Sequence, residues 1–276
     1  MDARLRELLE HDDDDINLTE AALLLARCEY PALDPQPYLD KLATLAAELA
    51  ERIEPDADIA ERILALNHFL FVERGYAPNI EHFYDPHNSF LNDVIDRKLG
   101  IPITLAVIYI ELGQRVGLPL VGVSFPGRFL VKLPLEKGDI VLDPSASGRP
   151  LSESELLDRL KPLYDDVAPA AISLEPFLVA ARKKDILLRM LRNLKAIYLH
   201  KRSFDKALGI LDDILELAPA QPQELRERGQ VYEHLECFRA ASEDYQRYLE
   251  LQPGAPDVLD IRERLIGLQS QTARLN

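Results

Sequence analysis

A short segment of this chain is rich in groups that bind metals or transfer protons. The run E-H-F-Y-D-P-H-N contains His82, Asp85 and His87. Imidazole and carboxylate groups are ordinary zinc ligands, but this spacing matches no established zinc pattern. Asp-Pro is a common start of a turn. The better interpretation is therefore a turn that carries surface histidines, and we predict neither a metal nor a cofactor.

Few side chains are candidates for a catalytic nucleophile. Cys28 and Cys237 lie far apart in the sequence, so they indicate neither a disulfide framework nor a metal cluster. Ser124 precedes F-P-G and lacks the G-x-S-x-G context of a hydrolase. Thr104 lies at the start of a predicted helix. Its hydroxyl is either a candidate nucleophile or a group that caps the helix or bonds back to its own backbone.

A predicted central helix must position Thr104. The stretch R-K-L-G-I-P-I-T-L-A-V-I-Y-I-E-L-G-Q-R-V-G-L-P (97–119) is apolar on nearly every side. Such a helix has to be covered all round, so it should form the core of its domain. Pro102 suits the first helical position. Three β-patterned runs follow at 120–125, 128–133 and 139–142, which together predict an α+β fold with a small antiparallel sheet.

Helices should precede this core. The periodicity of apolar residues predicts helices over 38–53 and 59–74, and Asn17 or Thr19 could cap an earlier one. Asn, Asp, Pro and Ser are frequent over 78–89, which predicts a loop there before a short helix from about Ser89. After the sheet, Ser152 and Glu155 have the spacing of a capping box.

The C-terminal part contains an internal repeat with a step of 34 residues. Its recurring positions are Tyr198, Ala207 and Pro219, followed by Tyr232, Ala241 and Pro253. This spacing and these residue types resemble the tetratricopeptide repeat, in which each helix pair must stack on a neighbour to bury its apolar face. Gly229 occupies the expected small position of the second unit, whereas Lys195 stands there in the first. Flanking helices are predicted at 177–190 and 257–268.

These patterns divide the chain into four parts. Residues 1–163 should form the helical N-terminal region and the α+β core, and 164–176 a linker rich in Pro and Ala. Residues 177–270 should form the repeat helices, and 271–276 a tail.

Composition restricts the possible partners. The net charge of −15 and pI of about 4.9 repel phosphate backbones and anionic lipids, so we expect no direct binding to nucleic acid or membranes. No run approaches the roughly 18 apolar residues of a membrane span, and the charged N-terminal residues do not form a signal peptide. We therefore expect a cytoplasmic protein.

Four ordered motifs carry a resemblance that extends over nearly the whole chain. The succession Y-D-P-H-N-S-F-L, R-K-L-G-I-P-I-T-L, P-G-R-F-L-V and L-D-P resembles the bacterial SirB-type family. That resemblance implies a transglutaminase-like (papain-like) core followed by tetratricopeptide repeats. In catalytic relatives of this fold, a Cys in the first turn of the central helix, a His on the next strand and an Asp or Asn on the following strand form the catalytic triad.

Matched to those places, this chain has Thr104, Arg128 and Asp143, and only the last is of a catalytic type. A guanidinium stays protonated, so Arg128 cannot act as a base. A threonine hydroxyl without a base is a weak nucleophile. We therefore expect a catalytically inactive core in which Arg128 pairs with Asp143.

A polar set should support the loop before the central helix. It comprises Asp85, Asn88, Ser89 and Arg97, with Asp143 expected beside them. Arg97 would anchor the turn at 85–88, line a small cleft, or face solvent from the preceding helix.

Two main functions remain. The first is a non-catalytic protein that binds a protein or peptide partner through its repeats. The second is an amide hydrolase or acyltransferase that uses the degenerate site around Thr104. A regulator that acts on nucleic acid through a partner is a weaker third possibility, because the acidic charge disfavours direct contact.

Overall fold

The computed structural model describes residues 1–136, 138–163 and 173–275. The chain divides into two compact units, residues 2–190 and the residues from Leu191 onward, and the division falls within helix α8 (Lys183–His200). Most of the predicted linker, 164–172, lies outside the described residues. Among the described residues, no helix is both long and apolar enough to cross a membrane.

Seven helices of the described residues precede α8. The Asn17 side chain accepts a hydrogen bond from the Glu20 N–H and caps α2. The Thr19 hydroxyl instead donates to the Glu111 carboxylate. The predicted helix over 59–74 is α-helical only as far as Asn67 and continues as a π-helical turn over His68–Glu73. The seven helices are α1 (Ala3–Glu10), α2 (Leu18–Leu25), α3 (Gln36–Ala50), α4 (Ile59–Asn67), α5 (Leu91–Arg97), α6 (Pro102–Arg115) and α7 (Glu153–Leu160).

Helix α6 is the core of the first unit, as its composition predicts. Every residue from Ile103 to Ile110 is buried, and the helix begins at Pro102. Later in the helix, Gly113 allows a close approach, since a Cβ there would lie 2.3 Å from the Leu120 Cδ1 atom. The helix can therefore pack tightly against the chain that enters the sheet.

A four-stranded antiparallel sheet follows α6. Its strands are β3 (Val121–Val123), β4 (Leu130–Leu133), β5 (Ile140–Asp143) and β6 (Arg149–Pro150), paired in that order. Strand β4 begins two residues later than predicted, because residues 126–127 form a turn in which Gly127 has a φ of +70°. The capping box of Ser152 and Glu155 is present at the start of α7.

Three short strands are not predicted by the alternation of apolar and polar residues. Besides β6, strand β1 (Ala77–Pro78) pairs in parallel with β2 (Leu99–Gly100). Each has two residues, which is too short to show an alternation of apolar and polar side chains. The β1–β2 pair nevertheless fixes both ends of the segment that contains the predicted 78–89 loop and α5.

The second unit is helical. It contains the end of α8, then α9 (Phe204–Leu217), α10 (Pro222–His234), α11 (Phe238–Leu251) and α12 (Val258–Leu275). The predicted helix over 177–190 is wrong in its first part: a 3₁₀ turn covers Glu175–Phe177 and the helix begins at Lys183. The predicted tail is helical as far as Leu275.

The repeat positions have the packing roles that their residue types require. Ala207 and Ala241 are fully buried in α9 and α11. A Cβ at Gly229 would lie 2.6 Å from the Tyr245 ring, so the small residue is required where α10 crosses α11. Close helix crossing therefore depends on the glycine–tyrosine combination in this unit.

Candidate functional site

Thr104 is enclosed in the first turn of α6 and has no solvent exposure. Its Oγ1 accepts a hydrogen bond from the Ile101 N–H at 3.1 Å. The same oxygen lies 2.9 Å from the Asn88 carbonyl and 3.0 Å from the Ile101 carbonyl, to which it can donate. The hydroxyl therefore ties the start of α6 to the end of the preceding loop, and its bonding capacity is used by the backbone.

The backbone leaves Thr104 little room. A Cβ at Gly100 would lie 2.7 Å from the Thr104 Oγ1 atom. The chain therefore approaches this hydroxyl closely at Gly100, immediately before the helix starts.

Asp143 ends strand β5 and is fully buried. Its Oδ2 atom accepts hydrogen bonds from Arg128 at 3.0 Å and from both terminal nitrogens of Arg159 at 3.2 Å. Its Oδ1 atom accepts bonds from the Ser145 hydroxyl at 2.6 Å and the Ser145 N–H at 3.1 Å. The ion pair expected between Arg128 and Asp143 is thus present, as part of a larger network.

The network determines the protonation of Asp143. Burial alone would raise the pKa of this carboxyl, but the hydrogen bond from Ser145, the charge and hydrogen bond of Arg128 and the hydrogen bond from Arg159 hold its pKa below the ordinary value. Asp143 is therefore an anion at neutral pH, and two guanidinium groups compensate its charge.

Sequence reasoning missed two members of this network. Ser145 follows Asp143 in D-P-S, a pattern in which an Asp side chain bonds the backbone two residues on, so that contact had a local signal. Arg159 comes from α7, and no local pattern relates it to the sheet. Its contact depends on how α7 packs.

In this network the two arginines compensate the charge of Asp143, and neither of them can relay a proton. Arg128 and Arg159 cannot accept a proton. Among the hydrogen bonds of the described residues, none joins a histidine to Thr104 or Asp143, whereas His68 contacts Glu73 and His87 contacts Asp93.

The loop before α5 is held by a separate polar set. The Asn79 side chain donates to the Asn88 carboxamide at 3.0 Å, and Asn88 donates to the His82 carbonyl at 2.8 Å. Arg97 donates to Asp85 at 2.8 Å. Of the three roles considered for Arg97, anchoring the turn is the one observed.

Charge contributes to this anchor. Burial would raise the pKa of Asp85, but the hydrogen bond and charge of Arg97 lower it below the ordinary value. Ser89 is buried, and its hydroxyl has no hydrogen-bond partner among the described residues. Asp143 does not join this set, since its side-chain hydrogen bonds in the described residues go to Arg128, Ser145 and Arg159.

His87 in this loop contacts a carboxylate and a tyrosine hydroxyl. The His87 Nδ1 atom lies 2.7 Å from Asp93 and 3.0 Å from the Tyr30 hydroxyl, which itself donates to Asp93 at 2.7 Å. The Asp85 carboxylate is paired with Arg97. Within the described part of the chain, no three His, Cys, Asp or Glu residues are grouped to hold a metal ion.

A groove of about 520 Å³ lies between α8 and α10 in the second unit. Lys195, which replaces the small residue of the repeat, lies 2.5 Å from Glu227 and 3.7 Å from Glu224. Arg192 donates to Glu224 at 2.7 Å. The groove is lined by Arg192, Lys195, Ala196, Leu199, Gln221, Gln223, Glu224 and Glu227.

The first unit is built on a buried central helix that leads into an antiparallel sheet, and the second unit is a series of stacked helix pairs. Comparison with known families agrees: the family model for the transglutaminase-like superfamily matches residues 36–192, and that for the tetratricopeptide repeat matches residues 194–266. The chain belongs to the transglutaminase-like superfamily and, within it, to the SirB-type family of bacterial proteins that carry C-terminal tetratricopeptide repeats.

Similar proteins come from several bacteria. A UPF0162 protein of Xylella fastidiosa is 42% identical and aligns over 94% of this chain and 92% of its own. The protein SirB1 of Salmonella typhimurium is 25% identical over 91% of this chain and 93% of its own. A crystal structure of menin aligns over 94% of this chain and 72% of its own with 11% identity, but its TM-score of 0.40 is too low to carry an argument.

Proposed function

We propose that this chain is a non-catalytic transglutaminase-like protein that acts in the cytoplasm as a protein-interaction or regulatory module through its tetratricopeptide repeats. The observation that carries this proposal is the geometry of Thr104, Arg128 and Asp143. Thr104 is enclosed and bonded to the backbone, and Arg128 pairs with Asp143. We also propose that these three positions correspond to the catalytic triad of the fold.

Acyl transfer at this place would lack its main components. It needs an accessible nucleophile and a base within hydrogen-bond reach. Thr104 has no exposure, and Arg128 is a permanent cation. Loss of members of a catalytic triad lowers rates by roughly 10⁴ to 10⁶. A protein with this arrangement would act by binding.

The enclosure of Thr104 can be tested with a thiol at that position. We would introduce Thr104→Cys into a Cys28→Ser/Cys237→Ser background, because both natural cysteines are exposed. Iodoacetamide should label the new thiol only through opening or unfolding of the domain, far more slowly than it labels Cys28 or Cys237 in the natural chain. Labelling as fast as at the exposed cysteines would contradict an enclosed site and revive the acyl-transfer alternative.

The repeat unit offers the surface for an interaction. Concave faces of stacked helix pairs bind peptides and helices. In this chain the groove between α8 and α10 combines apolar side chains, Ala196 and Leu199, with amide groups, Gln221 and Gln223. Its charged groups are paired with one another, so a partner can enter without leaving an unpaired buried charge.

A matched pair of variants tests the groove. Ala196→Arg would fill it from an exposed position, whereas Gly209→Arg makes a similar change on α9, where an added Cβ meets no neighbour within 4 Å. Proteins crosslinked in cells to the natural chain should be retained by Gly209→Arg and lost by Ala196→Arg. Identical crosslinked sets for the two variants would contradict binding through this groove.

A further inference from the structure

The groove between α8 and α10 is lined by two glutamine side chains whose amide groups are held in opposite orientations. Both glutamines lie at the start of α10. The Arg192 Nη2 atom donates to the Gln221 Oε1 atom at 3.1 Å. The Gln223 Nε2 atom donates to the Glu227 Oε1 atom at 2.7 Å. The two amides therefore use different atoms for their contacts within the protein.

These charged neighbours determine which atom of each amide stays free. A guanidinium can only donate, so the Gln221 atom beside Arg192 is the oxygen. A carboxylate can only accept, so the Gln223 atom beside Glu227 is the nitrogen. Each amide makes no other side-chain hydrogen bond to the described residues. Gln221 thus offers an N–H donor to an occupant of the groove, and Gln223 offers a carbonyl acceptor.

The spacing of this donor and this acceptor fits one residue of an extended chain. Cα atoms two residues apart lie at most about 7 Å from each other. In an antiparallel ladder, one residue exchanges both its N–H and its C=O with a single partner residue. A backbone carbonyl can accept from Gln221 while the N–H of the same residue donates to Gln223. The two glutamines would then take the place of a neighbouring strand.

The charges of the groove are balanced within it. Arg192 donates to Glu224 at 2.7 Å, and the Lys195 ammonium lies 2.5 Å from Glu227. Two cations therefore face two carboxylates. A charged group on the occupant would have to displace one of these ions from its partner, which costs the desolvation and pairing energy of the displaced ion. The groove therefore suits an uncharged occupant.

The groove also offers apolar contact and room for a short segment. Ala196 is exposed and Leu199 is half-buried, and both line the groove. A cavity of about 150 Å³ accommodates benzene, so 520 Å³ suits roughly 20 non-hydrogen atoms, or about four small residues. Small aliphatic side chains of such a segment would contact Ala196 and Leu199.

We propose that this groove binds an uncharged segment of a partner protein in an extended conformation, and that Gln221 and Gln223 recognise its backbone. This inference rests on the proposed function, because it names the class of partner for the same groove. A helix fits less well, since its backbone N–H and C=O groups are bonded within the helix. An acidic tail fits less well, since it would compete with Glu224 and Glu227 for cations that are already paired.

Titration of the full chain with short peptides, followed by the ¹⁵N–¹H signals of the glutamine side-chain amides, tests this recognition. The probe is acetyl-Ala-Val-Ala-Ala-amide. The comparison peptides are the same sequence with every residue N-methylated, which lacks backbone N–H donors, and the same sequence with a free C-terminal carboxylate. We expect saturable binding of the blocked peptide with a shift of the Gln221 amide signals. The N-methylated peptide and the free acid should each bind at least fivefold more weakly, about the worth of one hydrogen bond.

Variants separate the two glutamines from the rest of the surface. Gln221→Met and Gln223→Met keep the length of the side chain and remove its amide, so each should weaken binding of the blocked peptide about fivefold. Gln252→Met makes the same change at an exposed residue outside the groove and should bind as the natural chain does. Gln223 is exposed, so Gln223→Met keeps the test valid if Gln221→Met does not fold.

Backbone recognition is overturned if the blocked peptide does not bind saturably at tens of millimolar, if the N-methylated peptide or the free acid binds as tightly, or if Gln252→Met weakens binding as much as Gln221→Met. The proposed function is judged separately by the proteins crosslinked in cells. Their loss in Ala196→Arg, together with failure of the peptide, would overturn backbone recognition and leave the groove as a binding surface. Their retention in Ala196→Arg would contradict the proposed function itself.

Discussion

Single side chains at the start of α6 and the end of β5 hold elements of the first unit together. The Thr104 hydroxyl joins Ile101 to the carbonyl of Asn88. The Asp143 carboxylate joins β5 to α7 through Arg159. Both groups are fully buried, so water cannot readily take the place of the Thr104 hydroxyl or of the Asp143 carboxylate.

Thr104→Val should destabilise the first unit, because it keeps the shape of the side chain and removes the hydroxyl. Loss of a buried hydrogen-bonding group costs about 1–3 kcal/mol. Thr104→Ser, which keeps the hydroxyl, should cost less. Urea unfolding followed by circular dichroism measures both, and equal stability of Thr104→Val and the natural chain would contradict a structural role for this hydroxyl.

Asp143→Asn should lower the free energy of unfolding by about 2 kcal/mol at pH 7, since hydrogen bonds to charged groups are among the stronger ones. The folded-state pKa of Asp143 lies below its unfolded value of about 3.9, so its stabilisation is complete above that pH. It is lost as pH falls through the folded-state pKa. The difference between the two proteins should therefore shrink from pH 6 to pH 2.

Urea midpoints measured across this pH range test whether the stability difference between the natural chain and Asp143→Asn shrinks as the pH falls. A difference that stays constant or grows as the pH falls would show that Asp143 is not held as a stabilised anion. Asp158→Asn, at an exposed position, is the control for the loss of one acidic group.

Helices and strands differ in how well the sequence anticipates them. The apolar surface of α6 and its Pro102 start predict a buried core helix, and the 34-residue step predicts the repeat helices. The strands β1, β2 and β6 have two residues each, and the helix predicted from residue 177 begins at Lys183. A periodic pattern can be recognised only over several residues, so it cannot predict strands of two residues. The formation of these strands depends on pairing in the tertiary structure.

The candidate site shows the same division. The contact of Asp143 with Ser145 is local and follows from the D-P-S turn. The pair of Arg128 and Asp143 was expected from the resemblance, which placed them on neighbouring strands. Arg159 and the groove around Lys195 depend on how helices pack against other elements, and no spacing in the sequence encodes that.

The close crossing of α10 and α11 provides a test of the repeat packing. Gly229→Ala would place a Cβ 2.6 Å from the Tyr245 ring, and such overpacking costs about 1–3 kcal/mol. In a helix without a neighbour, the same change would stabilise by about 1 kcal/mol. The sign of the measured change therefore distinguishes a close crossing from an open one.

Tyr245→Leu should relieve this clash, because the first repeat carries Lys195 and Leu211 at the equivalent positions. A double-mutant cycle measured by urea unfolding should show that Gly229→Ala is better tolerated in the Tyr245→Leu background. Strictly additive effects would contradict the proposed complementarity between the two positions.

The whole molecule combines a transglutaminase-like core with a unit of tetratricopeptide repeats. The family relationship is carried by matches over residues 36–192 and 194–266. In the core, Thr104 is enclosed and Arg128 pairs with Asp143, whereas the groove between α8 and α10 is open. This contrast is the basis of the proposal that the protein acts by binding a partner.

The central claim is that the core has no acyl-transfer activity, and turnover measures it most directly. We would assay release of p-nitrophenol from its acetate and of ammonia from a glutamine-containing peptide in the presence of hydroxylamine. The natural chain and Thr104→Ala should give the same rates, no higher than an equal concentration of an unrelated protein that also has six histidines. Turnover by the natural chain that disappears in a folded Thr104→Ala protein would contradict the account.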